Sequence, residues 1–458
     1  MGMKPLTLET IARVTGGEYV GDSSLKNTLI TGVVKDNREA YEGCLFICIK
    51  GERVDGHDFA DKAFGAGAAC CLAERRLKEP RGPYVLVKST LEALKMLGEY
   101  YRSLFSIPVI GVTGSVGKTT AKEMTAAVLS QKFNVLKTPE NLNNEIGVPL
   151  TLLSLREEHE AAVIEMGISD FGEMRRLAKM VRPDICLITT IGYSHLETLG
   201  DLDGVLRAKS EIFEYMKPMS LAVFNGDDAL LRGFDPPEIR KITFGLGPYN
   251  DYRAVRIKTI DTSTIDCNIV SRGAFINVTI PAFGSHMVLG ALPAAVIGRY
   301  LGLTDEEISL GLLNFSTVGG RAHVIDTGYI TIIDDCYNAN PNSVTAAVLS
   351  LCSLEGRKVA ILGDMLNLGR DSDELHRGIG ILAGESGVDC LICCGAQAEY
   401  IYKGLISSGI EIEAWHFPLK EALFSVLPSL IKEVDNVLVK ASHGMHFEEI
   451  TEELKKLR

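Results

Sequence analysis

The sequence contains no long run of lysine or arginine, and its balance is acidic: 47 Lys and Arg stand against 59 Asp and Glu, a formal net charge of −12 at pH 7. A nucleic-acid binder wants a basic face, so that class is not expected. An anionic small substrate remains compatible, provided local cations and metal overcome the global field. No apolar stretch reaches the roughly 20 residues that cross a bilayer, so no membrane association is expected. The opening "MGMKPLTLETIARVTGG" carries no apolar core flanked by basic residues; no export signal is expected and the cytoplasm is the expected compartment. Eleven cysteines, an odd number, then argue for free thiols rather than a disulfide framework. Cys390 and Cys393 form a C-x-x-C in "VDCLICCGA" but lack a second pair at zinc-finger spacing, so they are expected to be buried as small hydrophobes. There is no internal repeat and no low-complexity tract.

What is there is alternation. The 458 residues set a prior of roughly three domains. The first hundred mix β-rich runs ("CLFICIKGE", "PYVLVKS") with the helically spaced "TLEALKMLGEYYRSLF". Pro108 marks a break. From there "VIGV", "AAVIEMG", "DICLITTIG" and "SLAVFNGDD" read as buried strands separated by helices such as "FGEMRRLAKMV" and "LDGVLRAKSEIFEYM". The β-branched segment from Tyr252 to Pro281 suggests antiparallel strands at a sheet edge, and "GALPAAVIGRYLGLTDEEISLGLLNF" a helical hairpin. After a hinge at "STVGGRAHVID" the alternation resumes with "YITIIDD", "KVAILGD", "CLICCG" and "NVLVKAS". The expected architecture is α/β in three domains: a small α/β unit over 1–106, a central nucleotide-binding unit with a mainly parallel sheet over 107–315, and a Rossmann-like doubly wound unit over 316–458.

"GVTGSVGKTT" opens a helix directly after a strand. Its glycines let the backbone turn sharply and aim N–H groups at a phosphate. Thr113, Gly114, Ser115, Val116, Gly117, Lys118, Thr119 and Thr120 are therefore the expected ATP-binding loop. In it Lys118 neutralises phosphate charge and Thr119 places a hydroxyl on Mg²⁺. Val112 stands where the longer G-x-x-x-x-G-K-[ST] pattern has its first glycine, so the compact G-x-x-G-K-T from Gly114 to Thr119 describes the loop better. Glu165 closes the strand "AAVIEMG", at the rim where an open α/β sheet binds ligands, and is expected to reach the metal. His195 follows "DICLITTIG" to the same rim. By position alone Lys209 reads as an ordinary solvated helix lysine. The residues thus reach an ATP and Mg²⁺ site without naming a reaction.

The blocks "GVTGSVGKTTAKEMTAAVL", "NLNNEIGVPLTLL", "SHLETLGDLDGVLRAKSEIF", "DDCYNANPNSVTAAV" and "ILGDMLNLG" resemble the Mur ligases of bacterial cell-wall synthesis. The second and fourth point to the branch that adds D-alanyl-D-alanine. The likeness covers nearly the whole chain. It implies that ATP phosphorylates the terminal carboxylate of a UDP-N-acetylmuramoyl-tripeptide and that the amine of D-alanyl-D-alanine displaces the phosphate. It assigns Lys118 to the β- and γ-phosphates, Thr119, Glu165 and His195 to two Mg²⁺ ions, and Lys209 to a carbamate that joins them. It assigns Arg321 to the γ-phosphate. Asp335, Asn338 and Asn340 are implied to face nucleotide and dipeptide, Asn143 and Asn144 the peptide end, and Asp36, Asn37 and Arg38 the UDP. A monomer is expected.

The chain departs from the pattern twice. Met287 and Gly290 replace the asparagines of H-N-x-x-N-A, and "VKASHGMH" puts His443 and His446 where arginines are usual. Histidine titrates near neutrality and arginine does not. Other readings are a related ligase with a different amino component, a folylpolyglutamate-synthase-like ligase, a nucleotide switch (disfavoured, since no N-K-x-D guanine motif exists), and a silent nucleotide-binding partner.

Overall fold

The apolar runs assemble into three main sheets and a two-stranded ribbon in the computed structural model, which describes residues 3–51, 53–317 and 319–458. The largest sheet has nine strands. In spatial order they are Val135–Lys137, Ala161–Glu165, Val109–Thr113, Ile185–Ile188, Leu221–Asn225, Arg240–Gly245, Tyr252–Asp261, Thr264–Ser271 and Ala274–Ile280. The first seven pair in parallel. The last two turn back antiparallel, so the β-branched segment does form the edge. Burial explains the division. The strands Val109–Thr113, Ala161–Glu165, Ile185–Ile188 and Leu221–Asn225 are buried at every residue, as strands covered on both faces must be, whereas Ala274–Ile280 alternates.

Chain order fixes where a ligand belongs. From Val109–Thr113 the chain crosses to one side for two strands, then to the other for Ile185–Ile188. Such a reversal opens a crevice beyond the carboxyl ends of the strands. The helix Lys118–Leu129 buries Ala121, Met124, Val128 and Leu129 and packs against Val288–Tyr300 and Asp305–Leu313, the expected hairpin. The segment "LDGVLRAKSEIFEYM" departs from a single helix. It is α-helical over Leu202–Ser210 and tightens to a 3₁₀ helix over Glu211–Tyr215. Glu211 is drawn away to accept the N–H groups of Gly172 (3.0 Å) and Arg175 (3.1 Å), which satisfies the start of the helix Glu173–Val181.

A five-stranded sheet lies before this one: Glu18–Val20, Tyr84–Leu86, Cys70–Ala73, Cys44–Ile47 and Gly32–Val34, parallel except for the first pair. The helix Thr90–Arg102 joins the two regions, packing on Gly147–Leu153 and Glu173–Val181. A six-stranded sheet follows: His323–Asp326, Thr331–Asp334, Asn436–Lys440, Lys358–Gly363, Cys390–Cys394 and Glu413–Phe417, with only the first pair antiparallel. Cys390 and Cys393 are fully buried in its interior, where desolvation pushes both thiols up, that of Cys390 to about 12. Val318, in the segment expected to be a hinge, lies outside the described residues.

The helices Ser372–Ser386 and Ala398–Ser408 approach so closely that a Cβ on Gly380 would collide with the Ile401 carbonyl, and one on Gly404 with the Arg377 carbonyl. Backbone cannot yield as a side-chain tip can. Gly380→Ala is therefore expected to destabilise this unit by about 1–3 kcal/mol in a urea titration; an unchanged midpoint would contradict the packing.

Candidate active site

The strand Val109–Thr113 runs into the loop at Gly114, whose φ of +143° suits only glycine. A Cβ there would also collide with Thr189 Oγ1. Gly117, at φ +79°, turns the chain into the helix Lys118–Leu129. The loop is tied down from below. Ser115 N–H donates to Thr190 O (2.8 Å), and its hydroxyl donates to Gly192 O (3.0 Å) while accepting from Gly192 N–H (2.9 Å). A helix N-terminus thus faces the crevice with its N–H groups unspent, which favours an anion.

The crevice is a cavity of about 820 Å³. It brings together most of the expected residues: Ser115 to Thr120, Asn143, Asn144, Glu165 and His195 from the central sheet, and Arg321, Asp335, Asn338 and Asn340 from the last one. The first unit reaches it through Leu91. Thr113 and Gly114 lie beneath the loop and do not line it. Asp36, Asn37 and Arg38 stand apart, on a 3₁₀ turn after Gly32–Val34, where hydrogen bonds from Arg38 hold the Asp36 carboxyl down at about 2.

Thr119 Oγ1 lies 2.9 and 3.1 Å from the two Glu165 oxygens, both residues being buried. Asn143 Nδ2 donates to the same carboxylate at 2.9 Å, so its amide holds Glu165. His195 has a left-handed backbone, φ +54°, uncommon for a residue with a side chain. Burial, with Lys209 and Lys118 adding repulsion, pushes its imidazole down to about 4, leaving a neutral ring with a free lone pair. Lys209 is 2% exposed and sits behind the cavity wall. No hydrogen bond or ion pair reaches its Nζ among the described residues. Burial first, and Lys118 second, push its ammonium far below the usual lysine range.

These donors fit Mg²⁺ only in part as they stand. Among the described residues no three His, Cys, Asp or Glu side chains converge on one point. The Thr119–Glu165 pair offers hard oxygen ligands and His195 a neutral nitrogen. Lys209 completes such a set only after its amine gains a carboxylate, and a buried neutral amine is the form that can react with CO₂.

Lys118 Nζ donates to Gly114 O (2.9 Å), which holds the ammonium across the mouth of the loop. Opposite it, the guanidinium of Arg321 stacks 3.8 Å above the centre of the Tyr337 ring, and that ring leans on His443 at 5.4 Å. Asp335 Oδ2 pairs with the buried Lys440 at 2.6 Å, and Lys440 also donates to Asn338 O at 2.9 Å. Asn340 spends its side-chain oxygen capping the helix Pro341–Cys352, accepting from Ser343 N–H at 2.9 Å. Sequence reasoning missed Tyr337 and Lys440. Lys440 had a signal, since it closes "NVLVK" at the ligand rim of a strand; the Arg321–Tyr337 stack had none, because its partners are 16 residues apart.

The two departures have physical consequences. Gly290 packs where a Cβ would come within 3.0 Å of both Thr120 Cγ2 and Met124 Sδ, so helix-on-helix contact fills this wall beside the buried Met287. His446 is bound by Glu448 at 3.0 Å and is exposed.

Three family models cover the chain in succession: "Mur ligase family, catalytic domain" over residues 29–102, "Mur ligase middle domain" over 112–298, and "Mur ligase, glutamate ligase domain" over 320–443. The UDP-N-acetylmuramoyl-tripeptide--D-alanyl-D-alanine ligase of Bacillus subtilis is 36% identical, with 98% of each chain covered. The chain belongs to the Mur ligase family. The ligase of the same description from Escherichia coli is 35% identical to this Mur ligase over 99% of each chain. Among solved structures, MurF from Acinetobacter baumannii superposes with a TM-score of 0.92 at 31% identity, covering 100% of both chains. MurF from Thermotoga maritima in complex with ADP gives 0.82 at 30% identity, covering 93% of this Mur ligase and 97% of that chain. A folylpolyglutamate synthase from Mycobacterium tuberculosis shares the fold, with a TM-score of 0.60 at 15% identity, covering 80% of this chain and 95% of its own.

Proposed function

We propose that this Mur ligase joins D-alanyl-D-alanine to a UDP-N-acetylmuramoyl-tripeptide at the expense of ATP, in peptidoglycan precursor synthesis. The observation that carries the reading is the single cavity shared by the phosphate loop of one sheet and Arg321, Asp335 and Asn338 of another, in a chain similar along its whole length to ligases of that description. The units would be 1–106 for the UDP end, 107–315 for ATP and 316–458 for the incoming dipeptide, acting as a monomer in the cytoplasm.

The chemistry follows from leaving groups. A carboxylate oxygen leaves poorly. When it attacks the γ-phosphorus and ADP departs, the resulting acyl phosphate exposes its carbon to an amine, and phosphate carries the oxygen away. Lys118 and Arg321 would flank the phosphoryl group in transit, offsetting charge as it moves. Thr119, Glu165 and His195, with Lys209 as a carbamate, would hold two Mg²⁺ ions, which would supply positive charge to offset that of the phosphoryl group in transit. Lys440 keeps Asp335 fixed toward the cavity, where it would meet the ammonium of the dipeptide. Enclosure between two units would exclude water, which hydrolyses acyl phosphates.

Phosphate release from ATP, with the UDP-muramoyl-tripeptide present and D-alanyl-D-alanine added or omitted, tests this. Release that depends on the dipeptide is expected, and release that single amino acids support equally well would overturn the choice of amine. The stack also yields an expected result. Losing the ring beneath Arg321 should remove about 1 kcal/mol of positioning, so Tyr337→Leu is expected to lower kcat roughly fivefold with Tyr337→Phe near wild type. Equal losses in both variants would point to the hydroxyl instead.

A further inference from the structure

Lys122 lies one turn beyond Thr119 on the phosphate-loop helix, is completely buried, and does not line the cavity. Its Nζ donates to Thr138 O at 2.8 Å and sits 2.9 Å from Glu123 Oε1 and 3.8 Å from Glu165 Oε2. Thr138 in turn accepts the N–H of Glu165 through its hydroxyl at 2.9 Å. On the far side, Glu123 Oε2 is bound by Lys137, whose side chain is 49% exposed. A line of alternating charge therefore runs inward from the surface: Lys137, Glu123, Lys122, Glu165. A buried cation beside a carboxylate competes with any metal that carboxylate holds. Glu123 draws Lys122 off, because it is the nearer acid by 0.9 Å, the difference between 3.8 and 2.9 Å.

We propose that Glu123, by drawing the buried Lys122 away from Glu165, keeps the Glu165 charge available and so sets how tightly this ligase holds its divalent ion. The inference rests on the reading of Glu165 as a metal ligand. Lys122 reaches Glu165 in two ways: its Nζ lies 3.8 Å from the carboxylate, and it holds Thr138, whose hydroxyl accepts the Glu165 backbone N–H. Glu123 holds Lys122 at the far limit of ion pairing with Glu165, 3.8 Å against its own 2.9 Å, so the Glu165 charge is only partly neutralised.

The test separates charge from structure. Glu123→Gln leaves Lys122 with Glu165 as its only carboxylate partner among the described residues, and the Mg²⁺ needed for half-maximal turnover is expected to rise about tenfold, as for other groups that tune metal ligands. Adding Lys122→Met to that variant removes the competing cation and is expected to bring the requirement back to within about twofold of wild type, an expectation a purely structural pair would not meet. Lys137→Met, a change near the surface that spares the fold, leaves Glu123 wholly to Lys122 and should lower the requirement slightly. Mn²⁺ binding in the presence of ADP, followed by electron paramagnetic resonance, gives the same order without any turnover. A double variant as impaired as Glu123→Gln, or no shift in either single variant, would overturn the proposal. Absence of Mn²⁺ and ADP binding in the wild type would instead remove the metal reading on which it stands.

Discussion

Lys118→Ala is expected to lower ATP-dependent turnover by about 10²–10³-fold, the effect of deleting one preorganised charge from a transition state that develops negative charge. The loss should fall mainly on kcat. The geometry gives the reason. The loop N–H groups and the helix end would still hold the phosphates, and the loop itself should survive, because Gly114, Gly117 and the Ser115 contacts to Thr190 and Gly192 do not involve Lys118. What disappears is the ammonium held across the loop mouth, 2.9 Å from Gly114 O. Lys118→Arg is expected to recover little, since a planar fork does not fit a site shaped for a compact ammonium. Turnover within threefold of wild type in the alanine variant would mean that the loop does not serve phosphate transfer.

Lys209→Ala should cost about 10–100-fold in turnover, the range for losing a group that builds a metal site, and part of the activity should return when acetate or another short-chain carboxylic acid is added. The expectation comes from burial. A lysine 2% exposed, next to Lys118 and His195 and with no acidic partner among the described residues, is poorly tolerated as a cation. As a neutral amine it can combine with CO₂ and lose a proton, and the carboxylate so formed would balance the cations around it. A carboxylic acid diffusing into the space vacated by Lys209→Ala supplies the same oxygen atoms. Full activity without additive would remove Lys209 from the mechanism. Loss that no carboxylic acid relieves would assign it a packing role.

Much of this site was legible along the chain, because it is built at strand ends. Glu165 closes Ala161–Glu165, His195 follows Ile185–Ile188, and the loop follows Val109–Thr113; apolar runs mark all three strands, and ligands in such sheets bind at their carboxyl ends. The central and final sheets were legible for the same reason. Less visible was whatever depends on side chains meeting across the fold. Asn143 holds Glu165 from 22 residues away, Tyr337 supports Arg321, and Lys440 reaches Asp335 across 105 positions. Burial was also hidden: Lys122 and Lys209 both look like surface lysines on helices, and only the packed structure shows that both are buried. The 3₁₀ turn after Ser210 was missed because its cause, Glu211 capping another helix, is not a local pattern.

The central claim is that an oxygen of the tripeptide carboxylate becomes an oxygen of phosphate. It is tested most directly with UDP-muramoyl-tripeptide carrying ¹⁸O in its terminal carboxylate, turned over with ATP and D-alanyl-D-alanine, and mass analysis of the phosphate released. One ¹⁸O atom transferred to phosphate for each peptide bond formed is the predicted result; phosphate free of the label, alongside normal peptide formation, would contradict it.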